Sequence, residues 1–332
     1  MRQVCDVCQI TKRGYRVHIT DEVIAQKLAM YFSSFAATDF IHIDTQTMWM
    51  EEHIFFDVMD YLGIHGGADA VFAQGQEEAY KPIREFVAER EAAWIDDIIQ
   101  ERRIRTHYQP IVSRQGEVIG HELLSRGVGE NDRLIPPFTL FEAARVRNRL
   151  FALDRACRLA CIQNASGVTD KLLFINFIPT SIYVPEHCLA TTIQLIEELN
   201  MDPAQIVFEV VETDKVKDIA HLKRILRYYR DHGFKYALDD VGTGYNNIEL
   251  LEDLRPDIVK LAIEFTNGVS TDLDKQDMAK RVLEAAHGMH ALALAEGVEA
   301  EEDLAYLQAL GYDLFQGYYF AKPQEHPVEE IA

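Results

Sequence analysis

The sequence predicts an α/β barrel preceded by a small mixed α/β domain. Three observations predict it. From Tyr108 onward, short β-type runs alternate with longer helical stretches, the pattern of parallel strands joined by crossover helices. Eight such runs follow one another, the number that closes a barrel, although a doubly wound sheet gives a similar alternation. Acidic and amide residues recur at the ends of these otherwise apolar runs.

The 332 residues can bury a full-sized core and suit one large domain plus a smaller one, which we place at 89–328 and 1–88. With 48% hydrophobic and 26% charged residues the chain reads as folded over most of its length. A net charge of −21 disfavours a surface that tracks along nucleic acid, since such surfaces need clustered Lys and Arg, so no DNA partner is expected. A small anionic ligand is still compatible, because acidic groups at one site recruit divalent cations that in turn bind phosphate. No apolar run approaches the roughly 18 residues of a membrane span, and the expectation is a cytoplasmic protein. Five cysteines suggest reduced thiols; Cys5 and Cys8 form a lone CxxC that, with His18 or His42, could be half of a zinc site or a redox pair. Cys157 and Cys161, one helical turn apart in an apolar segment, read as core.

In chain order, the first domain shows a strand at 15–19, an amphipathic helix at 21–35, one or two strands over 40–49 and a helix at 53–62. Gly66 and Gly67 mark a turn, since no Lys-Ser/Thr follows at phosphate-loop spacing. No catalytic constellation is visible here, and a regulatory or oligomerisation role is expected. Residues 81–103 carry Ile83, Phe86, Val87, Trp94, Ile95, Ile98 and Ile99 on one helical stripe and predict a helix joining the domains. The eight later runs are 108–112, 118–124, 172–178, 206–211, 235–238, 258–261, 291–295 and 314–320.

The polar residues fall in register with these runs. Glu122 is near the end of the second, Asn176 lies inside the third, and Glu209 and Glu212 end the fourth. Asp239 and Asp240 end the fifth, Lys260 the sixth, Glu296 and Glu299 the seventh, and Gln316 lies in the eighth. Two carboxylates about 4 Å apart repel by roughly 4 kcal/mol at an effective dielectric near 20, so a series of them in apolar strands calls for metal or pairing. Barrel strand ends converge on one face, and Glu, Asp and Asn oxygens suit Mg²⁺ or Mn²⁺ better than zinc. Neighbours in a strand point to opposite faces, but at a strand end the backbone can turn and bring Asp239 and Asp240 to one site, as a two-metal displacement by an activated water requires. The Val-Gly-Thr-Gly that follows is flexible enough for a lid. A metal-dependent enolate-forming barrel with Lys260 as base fits the same residues less well, for want of an acid- or sugar-binding signature.

The motifs YQPIV, ELLSR, FINFIP, EVVET, LDDVGTGY, VKL, AEGVE and QGYYF, in this order from about residue 92 to 324, resemble the EAL domain family of cyclic di-GMP phosphodiesterases. The resemblance implies a TIM-type (β/α)8 barrel that hydrolyses cyclic di-GMP to linear pGpG with two Mg²⁺ or Mn²⁺ ions, and a homodimer formed through the barrel. Carried over, Glu122, Asn176, Glu209 and Asp239 would hold one ion, and Asp239 and Asp240 the second. Lys260 would orient or deprotonate the attacking water, its pKa lowered by burial near the cations. Glu296 would support that network and Glu212 would steady the loop after the fifth strand. Gln109, Leu124, Arg126 and Gln316 would contact substrate.

Four positions depart from the family pattern. The signature reads Glu-Leu-Leu, Val211 stands for the usual Thr, Val241 for the usual Phe, and Ala262 for the Asp that usually follows the Lys by two. Ala262 removes a nearby acid and bears on rate. It is the feature that favours the alternative, a catalytically weak barrel acting as a cyclic di-GMP receptor or interaction module.

Overall fold

The computed structural model describes residues 13–32, 40–42, 44–75, 79–211, 218–243, 251 and 253–331. Cys5, Cys8 and Glu212 lie outside the described residues. The chain divides into two compact units, one of residues 9–97 and 142–149, the other of 1–8, 98–141 and 150–332. Residues 89–97 and 142–149 therefore group with the first unit, across the sequence boundary at 88/89.

The first unit holds β1 (Gly14–Ile19), β2 (Phe40–His42), β3 (Thr47–Glu51), β4 (Val71–Gln74) and β5 (Lys81–Pro82) in one sheet of order β2-β3-β1-β4-β5, all neighbours antiparallel. Tyr15, Val17 and Ile19 alternate inward from β1 and are buried, as the period of a half-buried strand requires. The expected run over 40–49 is two strands because Asp44 accepts from the amides of Gln46 (2.8 Å) and Thr47 (2.7 Å), which closes a turn. Helices Glu22–Phe32 and Glu52–His65 supply Leu28, Phe32, Phe55 and Val58 to the core. Gly66 and Gly67 take φ of 75° and 101°, the turn expected.

The continuous helix expected over 81–103 is not formed. The segment is β5, a 3-10 turn Ile83–Phe86, and two short helices, Val87–Glu91 and Trp94–Gln100. The reason is visible in its stripe: Ile83 and Phe86 belong to the core of the first unit, while Ile98 and Ile99 fall in the second. One regular helix cannot serve both.

The second unit holds β6 (Ile104–Ser113), β7 (Val118–Val128), β8 (Leu134–Ile135), β9 (Leu172–Phe177), β10 (Ile206–Val210), β11 (Lys235–Val241), β12 (Ile258–Leu261), β13 (Leu292–Ala295) and β14 (Leu314–Phe315). Their order is β6-β14-β13-β12-β11-β10-β9-β7-β8, and pairing of β6 with β7 closes a barrel of eight strands, with β8 hooked on the outside of β7. Crossover helices such as Ile219–Asp231 and Leu273–Gly288 join the later strands. The barrel departs from an all-parallel one at β6, which runs antiparallel to both β7 and β14. Only four residues, 114–117, separate β6 from β7, enough for a hairpin and too few for a parallel crossover of about a dozen residues.

The interior is built in register. Ile111, Phe174, Val207, Ala237, Ile258, Leu294 and Leu314, each from a different strand, form one buried layer. In β9 to β14 the residue two places further on is Asn176, Glu209, Asp239, Lys260, Glu296 or Gln316. In the reversed strand β6 it is Gln109, two places earlier. Period-2 alternation thus turns one apolar layer into one polar layer stacked above it. On β7, Gly120 stands two places before Glu122, and a Cβ there would lie 2.7 Å from the Leu172 carbonyl oxygen, so no side chain fits.

Candidate active site

All eight barrel strands contribute to the polar layer at the barrel mouth. Gln109 pairs directly across from Glu122, and Asn176 across from Glu209. The Asn176 amide donates to Glu122 Oε1 (2.8 Å) and the Gln316 amide to Glu122 Oε2 (2.6 Å), so one carboxylate is held from both sides. Glu122, Leu124 and Arg126 alternate along β7 and share a face. Arg126 is partly buried, and that burial lowers its pKa against the pull of Glu122.

Lys260 is fully buried at the centre of the layer. Its Nζ lies 2.6 Å from Glu209 Oε1 and 3.0 Å from Asp239 Oδ1, and it also pairs with Glu296. Burial alone would lower the pKa of this ammonium, but Asp239, Glu209, Glu296 and Glu122 together raise it well above the ordinary lysine value. The lowered pKa expected from sequence presumed neighbouring cations; with the carboxylates alone around it, the lysine is held protonated. Glu209 and Glu296 are pushed well above the ordinary glutamate range, first by burial and then by neighbouring carboxylates, with Lys260 pulling the other way.

Asp239 and Asp240 both reach the site, by a route the sequence only half revealed. The strand does not end at Asp239. It carries a bulge between Leu238 and Val241, with Asp240 in the left-handed region at φ 51° and its carbonyl accepting from Thr243 Oγ1 at 2.8 Å. A bulge re-aims one side chain without ending the strand, which is how two adjacent residues come to one face. Ligand atoms of Asp239, Asp240 and Glu296 lie within 4.8 Å of one another. Glu296, given a supporting role from sequence, therefore stands among the candidate ligands themselves. Glu299 is exposed; of the Val-Gly-Thr-Gly expected to serve as a lid, Val241 is buried as the last residue of β11, Gly242 and Thr243 turn away from it, and Gly244 lies outside the described residues.

The donor set suits hard cations. Glu209 Oε2 is buried with no hydrogen-bond donor among the described residues, and Gln316 Oε1 is likewise an unfilled acceptor. With every carboxylate ionised, as metal ligation requires, Glu122, Glu209, Asp239, Asp240 and Glu296 would carry five negative charges against the ammonium of Lys260, leaving four. That is the charge of two divalent ions, and oxygen-only ligation fits Mg²⁺ or Mn²⁺.

A family model described as the EAL domain matches residues 92–323. The chain belongs to the EAL domain family. The EAL domain here is similar to cyclic di-GMP phosphodiesterase PdeF of Escherichia coli (strain K12), 31% identical over 221 residues that cover 65% of this chain and 29% of that protein. It is 29% identical to the probable cyclic di-GMP phosphodiesterase PdeG of the same organism, over 68% of this chain and 45% of PdeG. The chain thus matches less than half the length of either relative. Among solved structures, a standalone versatile EAL protein from Vibrio cholerae O395 in its c-di-GMP bound form superposes with a TM-score of 0.60 at 35% identity, covering 69% of this chain and 94% of that one. Klebsiella pneumoniae BlrP1, at 19% identity, shares the fold with a TM-score of 0.63 over 96% of this chain and 98% of its own. No helix among the described residues is long and apolar enough to cross a membrane.

Proposed function

We propose that the EAL domain of this chain hydrolyses cyclic di-GMP to linear pGpG with two Mg²⁺ or Mn²⁺ ions. The observation that carries the reading is the excess of four formal negative charges in a ring drawn from all eight strands. Glu122, Asn176, Glu209 and Asp239 would hold one ion and Asp239 and Asp240 the other, with Glu296 within reach of both aspartates. When bound, the ions neutralise phosphate charge and acidify a water for attack on phosphorus. Lys260 can orient that water and hold or return a proton at Nζ. Gln109, Leu124, Arg126 and Gln316 line the substrate side, and the Arg126 guanidinium is suited to clamp a phosphate oxygen pair. Attack forms one P–O bond, breaks the ring P–O bond and leaves the departing oxygen to take up a proton. Glu212 is assigned to steadying the loop after β11, and the barrel to a homodimer interface, on family likeness.

One observation favours a second reading, a receptor with weak turnover. Ala262, buried where relatives usually carry Asp, has no group to act on water or metal. Incubating the protein with cyclic di-GMP and Mg²⁺ or Mn²⁺, and separating products by chromatography, decides between them. Accumulation of pGpG supports hydrolysis; binding of the dinucleotide with no pGpG overturns it in favour of the receptor.

A further inference from the structure

At the opposite mouth of the barrel, where the strands begin, lies a cavity of about 420 Å³. Its floor is apolar, made by Leu172, Ile258 and Leu292, the first residues of β9, β12 and β13, with Pro256 and Met289 beside them. Leu292 is 42% exposed there, an unusual state for a leucine opening a barrel strand. The rim is basic: Arg230, Lys235, Arg255 and His290 face one acid, Asp257, whose Oδ2 is taken by the Tyr236 amide at 3.0 Å. Among the residues lining this cavity, three fixed positive charges against one negative leave +2, in a chain of net charge −21.

Two of the cations are anchored and two groups are open. Arg230 donates to the Tyr236 hydroxyl (2.7 Å) and the Arg255 carbonyl (2.8 Å), and Lys235 to the Ala204 carbonyl. The Arg255 guanidinium and the His290 ring are exposed to solvent and have no hydrogen-bond or ion-pair partner among the described residues. Both sit at φ above 50° where a helix hands over to a strand, a position that glycine fills more easily at Gly233 and Gly311.

We propose that this mouth binds a nucleoside monophosphate. The open Arg255 fork can take phosphate oxygens bidentately, with Lys235 and Arg230 adding field. The apolar floor takes the flat base, which inorganic phosphate alone would leave uncovered. A nucleic-acid strand is a poor occupant, since a concave site of this size in an acidic protein offers no extended basic track. The site lies at the other end of the strands from the carboxylate ring, so its occupancy does not rest on the reading of that ring.

Isothermal titration calorimetry on the full chain in EDTA, with GMP, guanosine and inorganic phosphate as separate titrants, tests it. EDTA removes divalent ions that would draw phosphate to the carboxylate ring. The expected result is binding of GMP stronger than that of guanosine or phosphate. Arg255→Ala should weaken GMP about tenfold or more, and Leu292→Ala should weaken GMP while leaving phosphate unchanged, with melting temperatures close to wild type. The proposal is overturned by GMP binding that is absent in the wild-type chain or unaffected by Arg255→Ala, or by guanosine or phosphate binding as tightly as GMP.

Discussion

Lys260 is a single, fully buried ammonium sharing its contacts among three carboxylates. Lys260→Met removes the ammonium that pairs with Glu209, Asp239 and Glu296, and, with the two glutamates able to take up protons in its absence, should cost the metal-free protein about 1–3 kcal/mol at neutral pH, read by urea unfolding in EDTA. A loss below 1 kcal/mol, about the value of an exposed pair, would show that the lysine is not paired as described. The raised pKa values of Glu209 and Glu296 have a signed consequence. Each binds its proton more tightly folded than unfolded, so its contribution is fully present below the unfolded glutamate value of about 4.3 and is lost as pH rises through the higher folded one. Divalent ions displace those protons. The gain in melting temperature on adding Mg²⁺ should therefore grow as pH rises above the unfolded glutamate value, and a gain independent of pH would contradict the shifts. Most of these residues were legible because charge in an apolar strand is costly and conspicuous. The direction of the lysine pKa was not, since it depends on how many carboxylates surround it without metal, which no linear spacing reveals.

At the scale of single elements, the strands were the most legible feature. Runs of apolar residues with a polar residue two places on encode both the strand and the side it faces, and six of the parallel strands carry that offset. What the sequence hid is geometry set by connections: the reversal of β6, forced by a four-residue link, and the bulge at Asp240. The helix expected over 81–103 failed for a related reason, because periodicity does not say which core a stripe faces. Gly317 illustrates how tightly β14 is placed. A Cβ there would run into the backbone of Val298, whose amide donates to the Gln316 carbonyl at 2.9 Å. Gly317→Ala should displace Gln316 from Glu122 and destabilise the barrel by about 1–3 kcal/mol, measured by denaturant unfolding. Unchanged stability together with unchanged turnover would show that this approach is not tight.

For the whole molecule, the sequence supplied the presence of two domains but not the way the chain is shared between them. Residues 142–149 return to the first unit, where the buried Arg147 holds Glu52 bidentately (2.8 and 2.9 Å) and pairs with Asp96, which also accepts from Arg149 Nε at 3.0 Å. A pairing between residues 95 apart in sequence has no local signature. Arg147→Ala leaves Glu52 without its cation and Asp96 with Arg149 alone, and should lower the stability of the first unit by about 1–3 kcal/mol, seen as earlier proteolytic cleavage within 13–97. The eight-strand ring makes a more direct demand. Asp239→Asn keeps the shape of the ring but removes a charge that both proposed ions share, and should lower turnover by about 100- to 1000-fold. The decisive measurement is the rate of pGpG formation from cyclic di-GMP in EDTA, then with Mg²⁺ or Mn²⁺, for the wild-type chain and Asp239→Asn. Product that appears only with divalent ion, and about a hundredfold or more faster in the wild-type chain than in Asp239→Asn, is the predicted result; product in EDTA, or equal rates in the two proteins, would contradict a metal-dependent carboxylate ring.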